Sequence, residues 1–472
     1  MAAEKARVRI LLFPIVVGCL LPLLFPKANP GQKVASPDAA IPTSLDITPT
    51  LPGNWDLEEV GYNSTSKKFV LFFFNTYKNS VSLYSRVFAS SGKPAGPLTL
   101  IQTAASPWGI SCVDFAYNEA ENTFLFVWVD GDKEIIYGKL LDGTGKNAAA
   151  AGLDRSGPTV IRAKVAGAWT YEVRAAWVPG QKQYAVAYAE YYSSATDAKN
   201  GFYLTTVDAK LKCAQDRTCV KKDITQSYPG TTTVIILFTP NTFREVNGKL
   251  LWGCPERAGG TYVQPVVWFT DLKGKVSSPG KIYPGVKVKV GAEVNSAWSS
   301  DQNLIFLTWD KTDQPMPGSM TFKENYARLM DGKGKLVSKM VKVPRSLAIQ
   351  TRAAVEYSPD KKRFLLVYSE HNAPSSPGRT LPSSSPPRVL VDRGYRLKGG
   401  QLLSMYFSVK GKPVGSEAVP LTEIYPATSV LTMPSYISNP MAFHETAKKF
   451  LICFLLEKST PWLYSIWAVP YR

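Results

Sequence analysis

Residues 112–146 read CVDFAYNEAENTFLFVWVDGDKEIIYGKLLDGTGK, and the fold follows from this stretch. Cys112 to Tyr117 is a first strand ending at an aromatic, and Asn118 to Asn122 is polar turn material. Thr123 to Val129 is a second apolar run, Glu134 to Leu141 a third, and Asp142-Gly143-Thr144-Gly145-Lys146 closes it with turn residues. Runs of roughly four to eight β-branched and aromatic residues between turn signals are strands. Glycine supplies the positive φ that a tight hairpin needs.

The stretch is one copy of a repeat. Tyr117, Phe124 and Trp128 set an aromatic-x6-aromatic-x3-aromatic frame, which returns at Tyr62/Phe69/Phe73, Trp177/Tyr184/Tyr188, Tyr357/Phe364/Tyr368 and Phe443/Phe450/Phe454. Trp298/Ile305/Trp309 keeps it with one aliphatic member. A degenerate copy, Phe238/Leu250/Cys254, fits between Tyr188 and Trp309 if Asn241 to Val246 is taken as turn. The terminal turn recurs at Gly92-Lys93, Asp271 with Gly274-Lys275, Asp331 with Gly334-Lys335, and Gly411-Lys412. Seven copies of about 64 residues, each with four antiparallel strands, predict an all-β, seven-bladed propeller over 41–472. The seventh copy lacks a fourth strand, and Ile41 to Thr48 looks like the fourth strands of other copies, such as Gly96 to Gln102. The expected seam therefore joins Ile41–Thr48 to Trp462–Val469 and protects both edges.

The chain has 472 residues, 12% aromatic residues, 34 Gly and 35 Pro, a composition that suits a large core with frequent turns. Its net charge of +18 favours anionic partners. The charges are scattered, with no block of five Lys or Arg, so no nucleic-acid partner is expected. Met1 to Arg9 is charged and Ile10 to Pro26 almost wholly apolar, which reads as an export signal or membrane anchor over 1–26, followed by a linker over 27–40. Val16-Val17-Gly18-Cys19 resembles a lipobox, with Cys19 the residue for lipidation, although Leu20 to Phe25 stay apolar where a lipoprotein turns polar. Cleaved secretion, a lipid anchor and a retained anchor all remain open. The expected location is extracytoplasmic. In an oxidising compartment Cys213 and Cys219 would close a short loop as a disulfide, while Cys112, Cys254 and Cys453 sit in strand patterns as buried hydrophobes.

The repeat resembles the seven-bladed propellers of exported bacterial proteins with degenerate Tyr-Asn…Phe-Leu-x-Val-Trp…Ile-Tyr…Leu-Asp-x-x-Gly blades, and the second copy matches best. The resemblance covers residues 41–472 and implies a blade, without an activity. WD-repeat pairs, Tyr-Trp-Thr-Asp and sialidase Asp-boxes do not occur.

Propeller topology sorts the loops onto two faces. First-to-second turns, with Lys67-Lys68, Lys182, Lys361-Lys362-Arg363 and Lys448-Lys449, share a basic base with the Gly-Lys turns. This base would suit an anionic membrane surface, and equally would keep hairpins soluble. The other face carries one acid per blade in six blades: Asp130, Glu190, Glu256, Asp310, Glu370 and Glu457. These would hold a cation or basic partner, or accept hydrogen bonds from neighbouring loops. The entry loops to the first strands bring Trp55, Trp108, Trp169, Tyr171, Tyr228 and Tyr436, suited to stacking on sugars or to packing between blades. Arg174 and Arg352 would add donors for an anionic group, and the Ser/Pro-rich insertion His371 to Gly400 would lie on this face as a lid or loop.

Only His371 and His444 exist, and no nucleophile elbow, His-Glu-x-x-His, phosphate loop or Cys-x-x-Cys is present. No catalytic residues, metal site or cofactor are assigned. The expected function is an exported, non-enzymatic propeller that binds a glycan or protein partner. The alternatives are a carbohydrate-active hydrolase or lyase using upper-face carboxylates, and a purely structural docking scaffold.

Overall fold

The computed structural model describes residues 41–148, 157–192, 199–222, 225–227, 235–237, 242–258, 263–285, 287, 290–312, 323–344, 349–371, 400–423, 430–432, 440–457 and 464–472. Seven antiparallel sheets follow one another along the chain as propeller blades. Blade 1 runs Asn54–Asn63, Lys68–Tyr77, Ser80–Phe88 and Thr99–Ala104 from its inner to its outer strand. Blade 2 repeats this with Ser111–Asn118, Thr123–Asp130, Ile135–Asp142 and Thr159–Arg162, and blade 3 with Ala168–Val178, Gln183–Tyr192, Gly201–Asp208 and Cys213–Lys222. The aromatic frame is a pairing register: Tyr62 lies opposite Phe69, Tyr117 opposite Phe124, Trp177 opposite Tyr184, Tyr357 opposite Phe364 and Phe443 opposite Phe450. The second strands are buried on both faces, as in Phe69 to Phe73 and Phe124 to Val129, because a blade packs against a neighbour on either side. The core accordingly divides into clusters between adjacent blades; one joins Leu57 and Phe73 of blade 1 to Leu451 and Cys453 of blade 7.

The seam lies where the sequence puts it. Leu45–Asp46 pairs antiparallel with Tyr464–Tyr471, Leu45 opposite Ala468 and Asp46 opposite Trp467, and Ile47 N–H donates to Ile466 O at 2.8 Å. The N-terminal segment thus completes the seventh blade from outside.

The Asp-x-x-Gly-Lys turns are local chemistry that also sets blade spacing. Asp142 Oδ1 accepts the backbone N–H of Thr144 and Lys146, and Asp331 Oδ1 those of Lys333 and Lys335. Gly145 has φ +77°, and a Cβ there would fall 2.7 Å from Ser85 Cβ of the preceding blade. Gly334 and Gly411 meet the preceding blade in the same way. Blade 3 has a further such turn at Asp208 to Lys212, with Leu211 (φ 61°) in the glycine place.

Blade 4 departs from the sequence reading. Phe238 and Asn241 lie outside the described residues, and Thr242–Val246 is itself the first strand, with Phe243 opposite Trp252. The turn is the two-residue Asn247-Gly248, both at positive φ, as a type I′ hairpin requires. Glu245 therefore takes the place opposite Leu250 that an aromatic holds elsewhere. The fourth strand of this blade is reduced to a bridge between Ile282 and Val267.

Cys213 and Cys219 do not form the expected disulfide. Both are free and stand on one strand, opposite Val207 and Tyr203. Four steps of the partner strand put them on the order of 13 Å apart, about twice the Cα span a disulfide allows. The seven residues from Cys213 to Cys219 belong to an outer strand with bulges and form no loop. Cys19, the export segment and the linker lie outside the described residues.

Candidate functional site

On the upper face Glu190, Glu256 and Asp130 hold basic partners. Glu190 is fully buried and accepts from Arg162 Nε at 3.0 Å and Nη2 at 2.5 Å, from Arg217 Nη2 at 2.5 Å and from Tyr192 OH at 3.0 Å. Arg162 belongs to the outer strand of blade 2, so this cluster clamps blade 2 to blade 3. Glu256 receives Lys281 at 2.5 Å and Lys221 of blade 3 at 3.4 Å, whose charges hold its carboxyl below the usual range against the opposing effect of burial. Asp130 binds Lys133 Nζ at 2.9 Å and the Lys133 N–H. Glu370 accepts Gln350 Nε2 at 3.1 Å, and Asp310 is buried. The Glu457 side chain lies outside the described residues.

The expected upper-face aromatics divide. Trp55 is buried, edge-on to Phe73, and its Nε1–H donates to Leu51 O at 3.0 Å, so it is blade core. Trp108 is half-buried, and Trp169 is 50% exposed beside Tyr191. Arg174 is buried and donates to its neighbour's carbonyl, Val173 O, with Glu172 at 3.7 Å. Tyr228, Tyr436 and the His371 to Gly400 insertion past His371 lie outside the described residues, as do the side chains of Tyr171 and Arg352. His444 is a core histidine against Tyr62 and Phe69; its Nδ1 accepts Ala447 N–H, and burial holds its pKa down.

The innermost strands carry a set of polar groups that sequence reading did not single out. Asp114 Oδ2 accepts Ala175 N–H of the next blade at 2.7 Å, Thr242 Oγ1 donates to Val294 O at 2.6 Å, and Asn295 Nδ2 to Ala353 O at 3.1 Å. These bonds satisfy strand edges that face the axis and have no ladder partner. Burial pushes Asp114 up to about 6, with Arg174 opposing it, and pushes Glu59 well above its ordinary value with help from the Asp114 charge. The signal was present in the alternation of these strands, but only the ring shows that the positions face the next blade.

Two register positions further toward the base, the inner strands converge. The residues opposite Val70, Leu125, Ala185, Phe306 and Leu451 are Gly61, Ala116, Ala176, Ala297 and Ala442, all small. Blade 4 puts Arg244 at this position and blade 6 puts Glu356. Beside Arg244 a cavity of ≈ 540 Å³ lies between the first strands and first turns of blades 2, 3 and 4. Tyr117, Trp177, Phe243, Arg244, Glu119 and Glu245 contribute to its wall. It sits at the base end of the axis, opposite to the face expected to bind ligand.

The base also exposes lysines. Lys93, Lys146, Lys212, Lys275, Lys335 and Lys412, one from each third-to-fourth turn of blades 1 to 6, are exposed and make no ion pair among the described residues. The acids of four of these turns are occupied by backbone N–H groups of the turn itself.

No protein-family profile and no curated protein matches the chain. Solved structures resemble it in architecture. An oligogalacturonate lyase in complex with manganese is 8% identical over 92% of this chain and 98% of its own, with a TM-score of 0.46. The Dos1 propeller is 12% identical over 91% and 94%, with a TM-score of 0.44. The β-propeller domain of the Trilobed protease from Pyrococcus furiosus is 9% identical over 89% and 94%, also at 0.44. Enzymes and propeller domains occur together among these structures, and likeness at this level carries no activity.

Proposed function

We propose that this chain is a non-enzymatic propeller, exported and held at the cell envelope, that binds an acidic glycan on its base. The exposed lysine ring carries the reading. Six exposed lysines stand on one face with four turn aspartates that accept backbone N–H groups and keep their charge, so the ring presents a net positive field to a polyanion. On the upper face, by contrast, Glu190 and Glu256 are held in cross-blade ion pairs. Export is supported by the apolar Ile10 to Pro26 run after a charged start.

The test is retention of the full chain on sulfated and on carboxylated polysaccharide, with neutral dextran as control. Retention that weakens with salt is expected, with earlier elution for the triple variant Lys146→Glu, Lys212→Glu, Lys275→Glu. No retention, or unchanged elution of the triple variant, overturns the reading. A second reading, an anionic lipid surface, is favoured by the direction of the closing strand: Leu45 lies nearer the base than Asp46, so the strand starts at the lysine face. Sedimentation with phosphatidylglycerol but not phosphatidylcholine vesicles, without polysaccharide retention, would overturn the glycan reading and select this one.

A further inference from the structure

The cavity at the base end of the axis has features that blade packing does not require. Five of seven blades put Gly or Ala where their inner strands converge, which is what close approach demands. Arg244 breaks that pattern at the cavity wall. Its Nε is shielded from solvent and has no hydrogen-bond partner among the described residues. Its guanidinium makes no ion pair there within bonding distance, though the charges of Glu356 and Glu59 reach it across the axis. That Nε is beyond a ligand's reach as well, so what the cavity offers an acidic ligand is the rest of the guanidinium, on the residue that borders it.

The rest of the wall is rigid and suits one chemistry. The Trp177 ring is braced against Tyr184 at 4.6 Å, and Phe243 is edge-on to Trp252 at 4.8 Å. Tyr117 OH is fixed between Asn63 Oδ1 at 3.2 Å and Asn122 Oδ1 at 3.1 Å. Glu119 and Glu245 each use one oxygen, on Ser64 Oγ and on Gly248 N–H, and each carboxylate has further acceptor capacity. The site thus combines one fixed cation, two hydroxyl acceptors and a braced aromatic face. A simple inorganic anion would meet the Glu charges with nothing to offset them. A hydroxylated carboxylate offsets them by donating its hydroxyls.

We infer that the cavity between blades 2, 3 and 4 binds a sugar acid, its carboxylate on Arg244, its hydroxyls on Glu119 and Glu245, and its ring face on Trp177. This site is separate from the lysine ring and stands whether or not polymer binds there. Such a pocket would take the end residue of an acidic glycan or a free uronate, and comparison of the monomer with an oligomer distinguishes them.

The test titrates the full chain with D-glucuronate and, in parallel, its uncharged methyl ester, following tryptophan fluorescence and heat. Saturable binding of glucuronate is expected at millimolar concentration or below, with the ester bound about tenfold more weakly. Arg244→Met is expected to lose the preference for the acid while keeping its melting temperature and its retention on acidic polysaccharide. Equal binding of acid and ester by the native chain, or no saturable signal with either, overturns the inference without reference to any variant. Retention lost in the lysine triple variant while glucuronate binding persists leaves this inference standing and bears only on the lysine ring.

Discussion

Replacing Glu190 with Ala tests the upper-face clamp directly. Its carboxylate is fully buried and accepts four hydrogen bonds, three of them from the guanidinium groups of Arg162 and Arg217, whose side chains are 3% and 30% exposed. Removing it strands the Arg162 charge inside the protein, whereas Arg217 can turn to water. Breaking a buried pair from one side costs about 3–5 kcal/mol. For a domain of roughly 430 residues the unfolding entropy is about 0.9 kcal/mol/K, so Glu190→Ala should lower Tm by about 3–6 °C. Arg217→Ala should cost less, about 1–3 kcal/mol, because Glu190 keeps Arg162 and Tyr192. Scanning calorimetry of the native chain and both variants at neutral pH measures this. A drop below about 1 °C for Glu190→Ala, or a larger drop for Arg217→Ala, would refute the clamp and return Glu190 to the pool of ligand candidates.

Asp114 predicts a pH dependence. Its folded pKa, raised to about 6, lies above the ordinary 3.8, so the folded state binds the proton more tightly. Its contribution to stability is present below the ordinary value and is lost as pH rises through about 6. Asp114→Asn keeps an acceptor for Ala175 N–H, so it should flatten the stability profile over that window and raise Tm at neutral pH; an unchanged profile refutes the assignment. Deleting residues 41–48 removes the seam and bares the edge of Tyr464–Tyr471; lowered Tm and concentration-dependent aggregation are expected, and an unaltered melting curve counts against closure as a stabilising element. Cys213 and Cys219 should both react with a thiol reagent in the folded chain without prior reduction, each more slowly than a free thiol because burial raises its pKa; protection of both until reductant is added would restore the disulfide.

Much of the ring was legible in sequence because its determinants are local. Tyr117, Phe124 and Trp128 mark a pairing register, and Asp142 with Gly145 marks a turn whose hydrogen bonds lie within five residues. The seam was legible by the same logic, since an unpaired third strand and a surplus strand imply each other. Blade 4 is less legible, although Asn247-Gly248 is a strong hairpin signal, because Glu245 breaks the aromatic frame.

The sequence by itself determined the strand period, the turns and the number of blades, because those rest on contacts between near neighbours. Only the tertiary structure decided what each side chain faces. Trp55 becomes core, Glu190 an inter-blade clamp, and Arg244 a shielded donor beside a cavity because residues far apart in sequence meet at a blade boundary or at the axis. Alternation along a strand fixes which side a residue takes; closure of the ring fixes what waits there.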